Sequence, residues 1–434
     1  MVHPLRDFVP VDHNHLGGHH KATIPRMPWL ADLIPPPHTR EPLSISSFFR
    51  DLLAPILCYY TTAVLVLIPG TLVVRLALLP VSLWLTFRGA TRLDLVHGFD
   101  DERLIYWNQG LLLVCTTLAM RLIIWSFQST PFRRVKTLSE ATPEFYNTKI
   151  MPLVPKQIFI DAWDLSCNLR GCGWNWSQNL QIPPENRPTT STAAFVRATL
   201  ADLALHLVAF DLLLYFVQWF APSTVGSAKG GTIYHPDLPP VLRYVRSTTM
   251  STLSGLTVYS AIQSGYLMCS LGGILIFGQH PSLWPPAFKS PWKSTSLTEF
   301  WSMRWHQIFR DSFISLGKPL TLIAGRVGGV LGSFLMSGIL HYFGLWGMGR
   351  GTDFWNVGGF FIMNGVGIIL EQIWRTLSGH RVGGWFGWVW TMLWIVGWAN
   401  MLVEAWATRG LVGSVFLPHY LRPSTYVFGP LPQI

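Results

Sequence analysis

Eight stretches of about 20 mostly apolar residues constrain this chain more than any other feature. They are Leu52–Pro69, Thr71–Phe87, Ile105–Phe127, Thr199–Phe220, Leu253–Gly278, Leu322–Trp346, Phe354–Trp374 and Trp385–Trp406. Crossing roughly 30 Å of hydrocarbon takes about that many residues, and only a helix pairs its own backbone groups there. The expected fold is all-α: a polytopic transmembrane helical bundle of about eight spanning helices, with interfacial helices besides. The first two stretches are the least regular. Pro69-Gly70 breaks the run, and Arg75 and Pro80 interrupt the second, so the pair could be one span plus a surface helix.

Composition excludes a soluble globular enzyme. Only 12% of the 434 residues are charged, against about 25% in soluble proteins. The 21 tryptophans suit a water–lipid boundary. The net charge of +10 is spread over connecting segments and forms no stripe, which argues against nucleic acid and for lipid headgroups or a polyphosphorylated co-substrate. Basic residues concentrate in Gln128–Ala198 and Gln279–Thr321, so both are expected to face the cytosol. The five cysteines offer no second pair to complete a zinc site, and no metal is expected. The histidines His13, His15, His19 and His20 sit in a polar tail without thiolates or carboxylates around them. That tail reads as 1–50, polar and proline-rich and without a cleavable signal, so the first apolar segment is the expected targeting signal. Residues 51–434 read as one membrane-embedded domain, with 295–375 as its catalytic core.

Chemistry points to one imidazole. The apolar run Val327–Trp346 holds His341 and no Asp, Glu, Lys or Arg, and polar groups at that depth are costly enough to be functional candidates. Ser337, Ser333 and Gly329 precede it at intervals of four, a small-residue face that lets another helix approach and turns His341 inward. Fifteen residues separate His341 from Arg326, about 22 Å along a helix. Upstream, Leu297–Asp311 reads as one amphipathic interfacial helix with Phe300, Trp301, Trp305, Ile308 and Phe309 on its apolar face. With Arg304, Arg310, Lys289, Lys293 and Lys318 it would put cations and indoles at the mouth of a path to His341, suited to the phosphates and adenine of coenzyme A. His206 and Asp211 have an acyltransferase-like spacing, but five helical residues rotate the second side chain about 140° from the first.

Four segments carry a resemblance. FWSMRWHQ resembles the tryptophan-rich motif of the wax synthase family within the membrane-bound O-acyltransferase superfamily. SGILHYFG is similar to that family's segment around its catalytic histidine, which falls on His341, and FFIMNGVGIILEQ is similar to the following helix, ending here in Glu371. WDLSCNLRGCGWNW, at Trp163–Trp176, resembles the Arg-Gly-x-Gly-Trp segment of fungal wax-synthase-like proteins. Relatives often carry asparagine where this chain has His306.

The resemblance implies an acyl-CoA-dependent O-acyltransferase, most of all one moving acetyl from acetyl-CoA to a hydroxyl of a terpenoid, meroterpenoid or polyketide. No permanently bound cofactor is implied. The partners are acyl-CoA, a hydrophobic alcohol and membrane lipid, in a multi-pass protein of the endoplasmic reticulum. In this reading His341 is general base and His306 orients the thioester or its oxyanion. Arg304, Trp305, Arg310, Lys289 and Lys293 would meet the coenzyme, and Ser337, Glu371 and Trp301 the substrate. A long-chain wax ester synthase is the alternative within the same chemistry. A proton-coupled transporter using His341 and Glu371 as relays, or a membrane scaffold, are the alternatives outside it.

Overall fold

The computed structural model describes residues 33–99, 101–135, 155–177 and 180–431. The four amino-terminal histidines, and with them most of the expected 1–50 tail, lie outside the described residues. The principal helices, in chain order, are α1 (Ala54–Leu67), α2 (Leu72–Arg92), α3 (Tyr106–Phe127), α4 (Ile158–Cys167), α5 (Thr192–Trp219), α6 (Pro240–Leu275), α7 (Arg310–Gly317), α8 (Thr321–Gly347), α9 (Phe354–Ser378), α10 (Gly384–Ala407) and the short α11 (Pro423–Phe428). Two dipeptides, β1 (Glu41–Pro42) and β2 (Leu93–Asp94), pair in parallel with Glu41 opposite Leu93.

Seven helical stretches among the described residues are long and apolar enough to cross a membrane: Ile45–Leu67, Leu72–Arg92, Glu102–Phe127, Thr192–Trp219, Arg310–Gly347, Phe354–Ser378 and Gly384–Ala407. The chain is thus an all-α, polytopic helical protein. The eighth expected span, Leu253–Gly278, corresponds to the latter part of α6 and runs three residues past its end at Leu275; the 36 residues of α6 are ample in length. Its run of Ser and Thr, several of them buried, makes α6 more polar than the other seven. The irregular first pair is two helices and not one. Gly70, at φ +78°, turns the chain between them, and Pro80 sits inside α2. The guanidinium of Arg75 is buried and donates to the carbonyls of Trp125 and Gln128, which removes the cost of its charge within the bundle.

Connecting segments gather at two ends. At one, Phe132 N–H donates to Val66 O, Arg187 to Trp284 O at 2.6 Å, Arg170 to Pro285 O at 2.8 Å and Trp388 to Trp292 O at 2.8 Å. The two segments expected on the same side of the membrane therefore meet, and this is called the basic end below. At the far end Gly231 N–H donates to Ala407 O, and Arg409 to Thr352 O. A core of Tyr59, Val66, Leu122, Trp125, Leu165 and Trp174 ties α1, α3 and α4 together near the basic end.

Candidate active site

The segment between α6 and α8 departs most from its sequence reading. It is not one interfacial helix. A short helical turn, Leu297–Glu299, continues as a π-helical turn over Phe300–Arg304, closed by Trp305 N–H donating to Phe300 O at 2.8 Å. Trp305 is then extended (φ −79°, ψ 153°), and α7 starts afresh at Arg310. Contacts trace its path into the bundle. Leu297 and Thr298 meet Glu371 of α9, and Trp301 Nε1 donates to Asn364 Oδ1 at 3.0 Å, seven residues or about 10 Å further along α9. The Trp301 ring also meets Phe334 and Phe360. The chain returns along α8, where a Cβ on Gly332 would collide with the Gly317 carbonyl. Residues 295–320 therefore form a re-entrant limb that enters from the basic end and goes back to it. Of the expected apolar face, Trp301 meets α8 and α9, while Phe300, Trp305 and Phe309 pack among the rings of the limb itself and Phe288.

His341 stands on α8, inward against Phe361 of α9 with ring centroids 4.5 Å apart. Its Nδ1 is 2.8 Å from the carbonyl oxygen of Ser337, one turn earlier. A carbonyl only accepts, so Nδ1 is the donor; the neutral ring carries its proton there and presents the lone pair of Nε2. The expected face makes close approaches, Gly329 to Thr321 and Ser333 to Gly317, and the positions beside it add to them. Gly332 meets α7 and Gly338 meets the Cα of Gly358 at a Cβ distance of 3.1 Å, while Ser333 bonds back to Gly329 O. Ala324 and Gly325 break the helical path of α8 near its start. His341 is six residues, about 9 Å, from the last residue, Gly347, and thus nearer the far end than the basic end.

His306 lies in the extended stretch between the two limbs, enclosed by the rings of Phe288, Trp305 and Phe309. Burial pushes its imidazole down to about 3, and the nearby charges of His341 and Arg170 act in the same direction. His306 is therefore neutral at physiological pH. The two histidines, 35 positions apart in sequence, are within electrostatic range of each other across the limb.

Residues 284–363 match the Membrane bound O-acyl transferase family. The matched segment holds the whole limb and both histidines, and agrees with the resemblance read from the sequence. Among curated proteins, the "O-Mevalon transferase yanI" of Aspergillus niger is 25% identical over 280 residues, 54% of this chain and 58% of that protein. "Acetyltransferase ple2" of Rhodocybe pseudopiperita is 26% identical over 245 residues, 52% of this chain and 61% of its own length. The "Long-chain-alcohol O-fatty-acyltransferase" of Simmondsia chinensis is 29% identical over 106 residues, 22% of this chain and 30% of its own. The chain thus spans about six-tenths of the first two and less of the third.

In and near this matched segment the other expected residues fall into two groups. Trp301, Ser337 and Trp305 adjoin the histidines: Trp301 through Phe360, which contacts Phe361; Ser337 through its carbonyl; and Trp305 by ring contact with His306. Glu371 lies apart, nearer the basic end. Its carboxylate accepts from Leu297 N–H, Thr298 N–H, the Thr298 hydroxyl and Trp390 Nε1, so it anchors the entry of the limb. Arg304 is engaged by Glu299 at 2.7 Å and by the carbonyl of Lys289 at 2.9 Å, which closes the base of the same turn. Lys293 is exposed at the basic end beside the Trp292 that Trp388 holds. Arg310 opens α7 at the inner end of the limb and is not at the mouth where the sequence reading put it.

Three neighbours lie in segments that carry the resemblance but are not among the expected site residues. Arg170 belongs to the Arg-Gly-x-Gly-Trp segment, where Gly171 and Gly173 take φ of +73° and +85°. A Cβ on Gly171 would strike the Trp176 indole, so only glycine fits the turn that aims Arg170 at Tyr266 and Pro285. Asn364 and Phe361 sit on the expected α9, but their part is set by Trp301 and His341. The His206–Asp211 pair separates as its helical spacing implies. His206 meets the Tyr259 ring, and Asp211 is buried against Arg422 and Ser424 N–H.

Proposed function

We propose that the protein is an acyl-CoA-dependent O-acyltransferase that transfers acetyl to a hydroxyl of a hydrophobic small molecule in the endoplasmic reticulum membrane. The observation that carries this is His341: an imidazole inside the bundle whose Nδ1–H is committed to Ser337 O, leaving Nε2 as an acceptor within electrostatic range of a second, neutral histidine. A thioester is already activated, so the chemical need is a base for the attacking alcohol. Nε2 of His341 takes the hydroxyl proton as the oxygen attacks the acyl carbon; the C–S bond breaks, and the thiolate of coenzyme A receives that proton. His306, uncharged, offers a hydrogen bond to the thioester oxygen as negative charge develops there.

Acetyl as the transferred group, rather than a long acyl chain, is favoured by 262 residues aligned with "Acetyltransferase ataH" of Aspergillus terreus, covering 84% of that protein, against 106 residues with the long-chain enzyme; the 280-residue alignment runs to the O-Mevalon transferase. The test is ester formation in microsomes supplied with labelled acetyl-CoA, then longer acyl-CoA, and a panel of terpenoid, polyketide and long-chain alcohols. Acetyl esters made by wild type and not by His341→Ala support the proposal. No ester with any donor and acceptor overturns it, and flux of a solute without thioester cleavage would favour a carrier.

A further inference from the structure

The mechanism leaves several polar atoms beside His306 unused. The Oε1 of Gln263, Nδ1 of His306 and Oε1 of Gln307 are sealed from solvent and have no hydrogen-bond partner among the described residues. Gln263 belongs to α6, and its neighbours on that helix place it against the segment that leads into the limb. Tyr259, four residues before it, meets Phe288 at 4.7 Å, and Phe288 meets His306 at 5.6 Å. Tyr266, three residues after it, donates to Pro285 O and accepts from Arg170. Residues at these offsets share one helical face, so Gln263 lies between two tyrosines that touch the segment before the limb at Pro285 and Phe288, and Phe288 in turn meets His306 of the limb. Ser270, seven residues on and on the same face, also has a buried hydroxyl without a partner. A helix that faced only lipid or packed rings would place apolar side chains here, since an unpaired amide in a low-dielectric interior is costly.

We propose that Gln263, with His306 and Gln307, forms a polar recess that holds a second oxygen function of the acceptor, so that the preferred acceptors are apolar skeletons bearing a diol or hydroxyketone and not plain long-chain alcohols. This rests on the acyl-transfer reading and adds the substrate class. A simple alkyl chain leaves all of these groups unpaired, whereas a second oxygen pairs at least one of them, and sites built this way reject the analogue lacking it. Gln263 is a positioning residue here; His341 still takes the proton. The aromatic walls supplied by Tyr259 and Phe288 suit the rest of an apolar skeleton.

The experiment compares a monohydroxy terpenoid alcohol with a diol of the same skeleton, using wild type, Gln263→Met and Gln263→Asn in nanodiscs. Wild type is expected to favour the diol by about tenfold or more in kcat/KM, mainly through KM, the scale of one buried hydrogen bond. Gln263→Met should erase that preference while keeping kcat on the monohydroxy alcohol within about twofold, and Gln263→Asn should restore part of it. Thermal stabilisation of each protein by each alcohol, without donor, gives a readout independent of turnover, and the diol should stabilise wild type more than Gln263→Met. Equal use of both alcohols by wild type, equal losses on both in Gln263→Met, or a rise in KM for acetyl-CoA alone would each overturn the recess. Ester from neither alcohol, with no stabilisation by either, would overturn the acyl-transfer reading and this proposal together; stabilisation by the diol without ester overturns only the former.

Discussion

Two polar clusters inside the bundle are handled in opposite ways. At Glu371 every demand is met: a carboxylate 7% exposed accepts two backbone N–H groups, a hydroxyl and an indole N–H. Around His306 and Gln263 buried polar atoms are left without protein partners. Full pairing makes the first cluster a structural rivet, since any displacement of the limb would strand a charge. Incomplete pairing marks the second as a surface meant for something that comes and goes. The lesson is that an intramembrane acid is not by that fact catalytic. What separates anchor from site is whether the protein has spent the group's hydrogen-bonding capacity on itself.

Removing His341 should break the comparison most sharply. His341→Ala is expected to lower kcat by about 10²–10⁴, the usual worth of a general base, with little change in thermal stability, because among the described residues the lost ring makes one hydrogen bond, to Ser337 O, and one ring contact, with Phe361. Labelled acetyl transfer and a detergent melting curve check the two halves; a variant that melts early would make His341 part of the anchor instead. Glu371→Ala should do the reverse. It strands several donors, each worth about 1–3 kcal/mol when buried and unpaired, so the melting temperature should fall clearly, and activity should fall only as far as folded protein is lost. An ordinary melting curve with activity abolished would move Glu371 into the chemistry.

The contrast also shows what a linear reading can reach. Spans were legible because lipid imposes one requirement, a long apolar run, that needs no knowledge of neighbours; α6 was legible as a helix in spite of its hydroxyls. His341 was legible because one imidazole stands out in such a run. The break at Trp305 was not, since the apolar period continues through Phe309, and the stop is made by tertiary bonds: Arg304 to Glu299 and to the Lys289 carbonyl, and Trp301 to Asn364. Gln263 was hidden for a related reason. A glutamine in a serine-rich helix is ordinary until the fold brings it to the segment that leads into the limb.

Asn364 tests whether the anchor extends to the tip of the limb. It is fully buried, accepts from Trp301 and donates to Phe360 O. Asn364→Leu should cost about 1–3 kcal/mol, chiefly from the stranded indole N–H. Because Trp301 packs beside Phe360 and Phe361, some loss of kcat at unchanged acceptor KM is expected too. A stability loss without any kinetic effect would confine the limb's tip to a structural part.

The smallest effect concerns acid, and its sign follows from the depressed basicity of His306. In the unfolded chain a histidine titrates near 6.5, whereas in the folded protein burial first, then the charges of His341 and Arg170, hold this one down to about 3. Between those values the unfolded state binds the extra proton, so His306 adds nothing above about pH 6.5 and costs stability progressively as pH falls toward 3, at most about 1.4 kcal/mol per unit. His306→Asn cannot take that proton. The difference in melting temperature between wild type and His306→Asn should therefore shift against wild type as the buffer is lowered from pH 7 to 5, while the variant's own decline reflects the remaining groups. Parallel declines would mean that His306 takes up its proton in the folded state as readily as in the unfolded chain, and that a polar environment, not the aromatic enclosure of Phe288, Trp305 and Phe309, surrounds it.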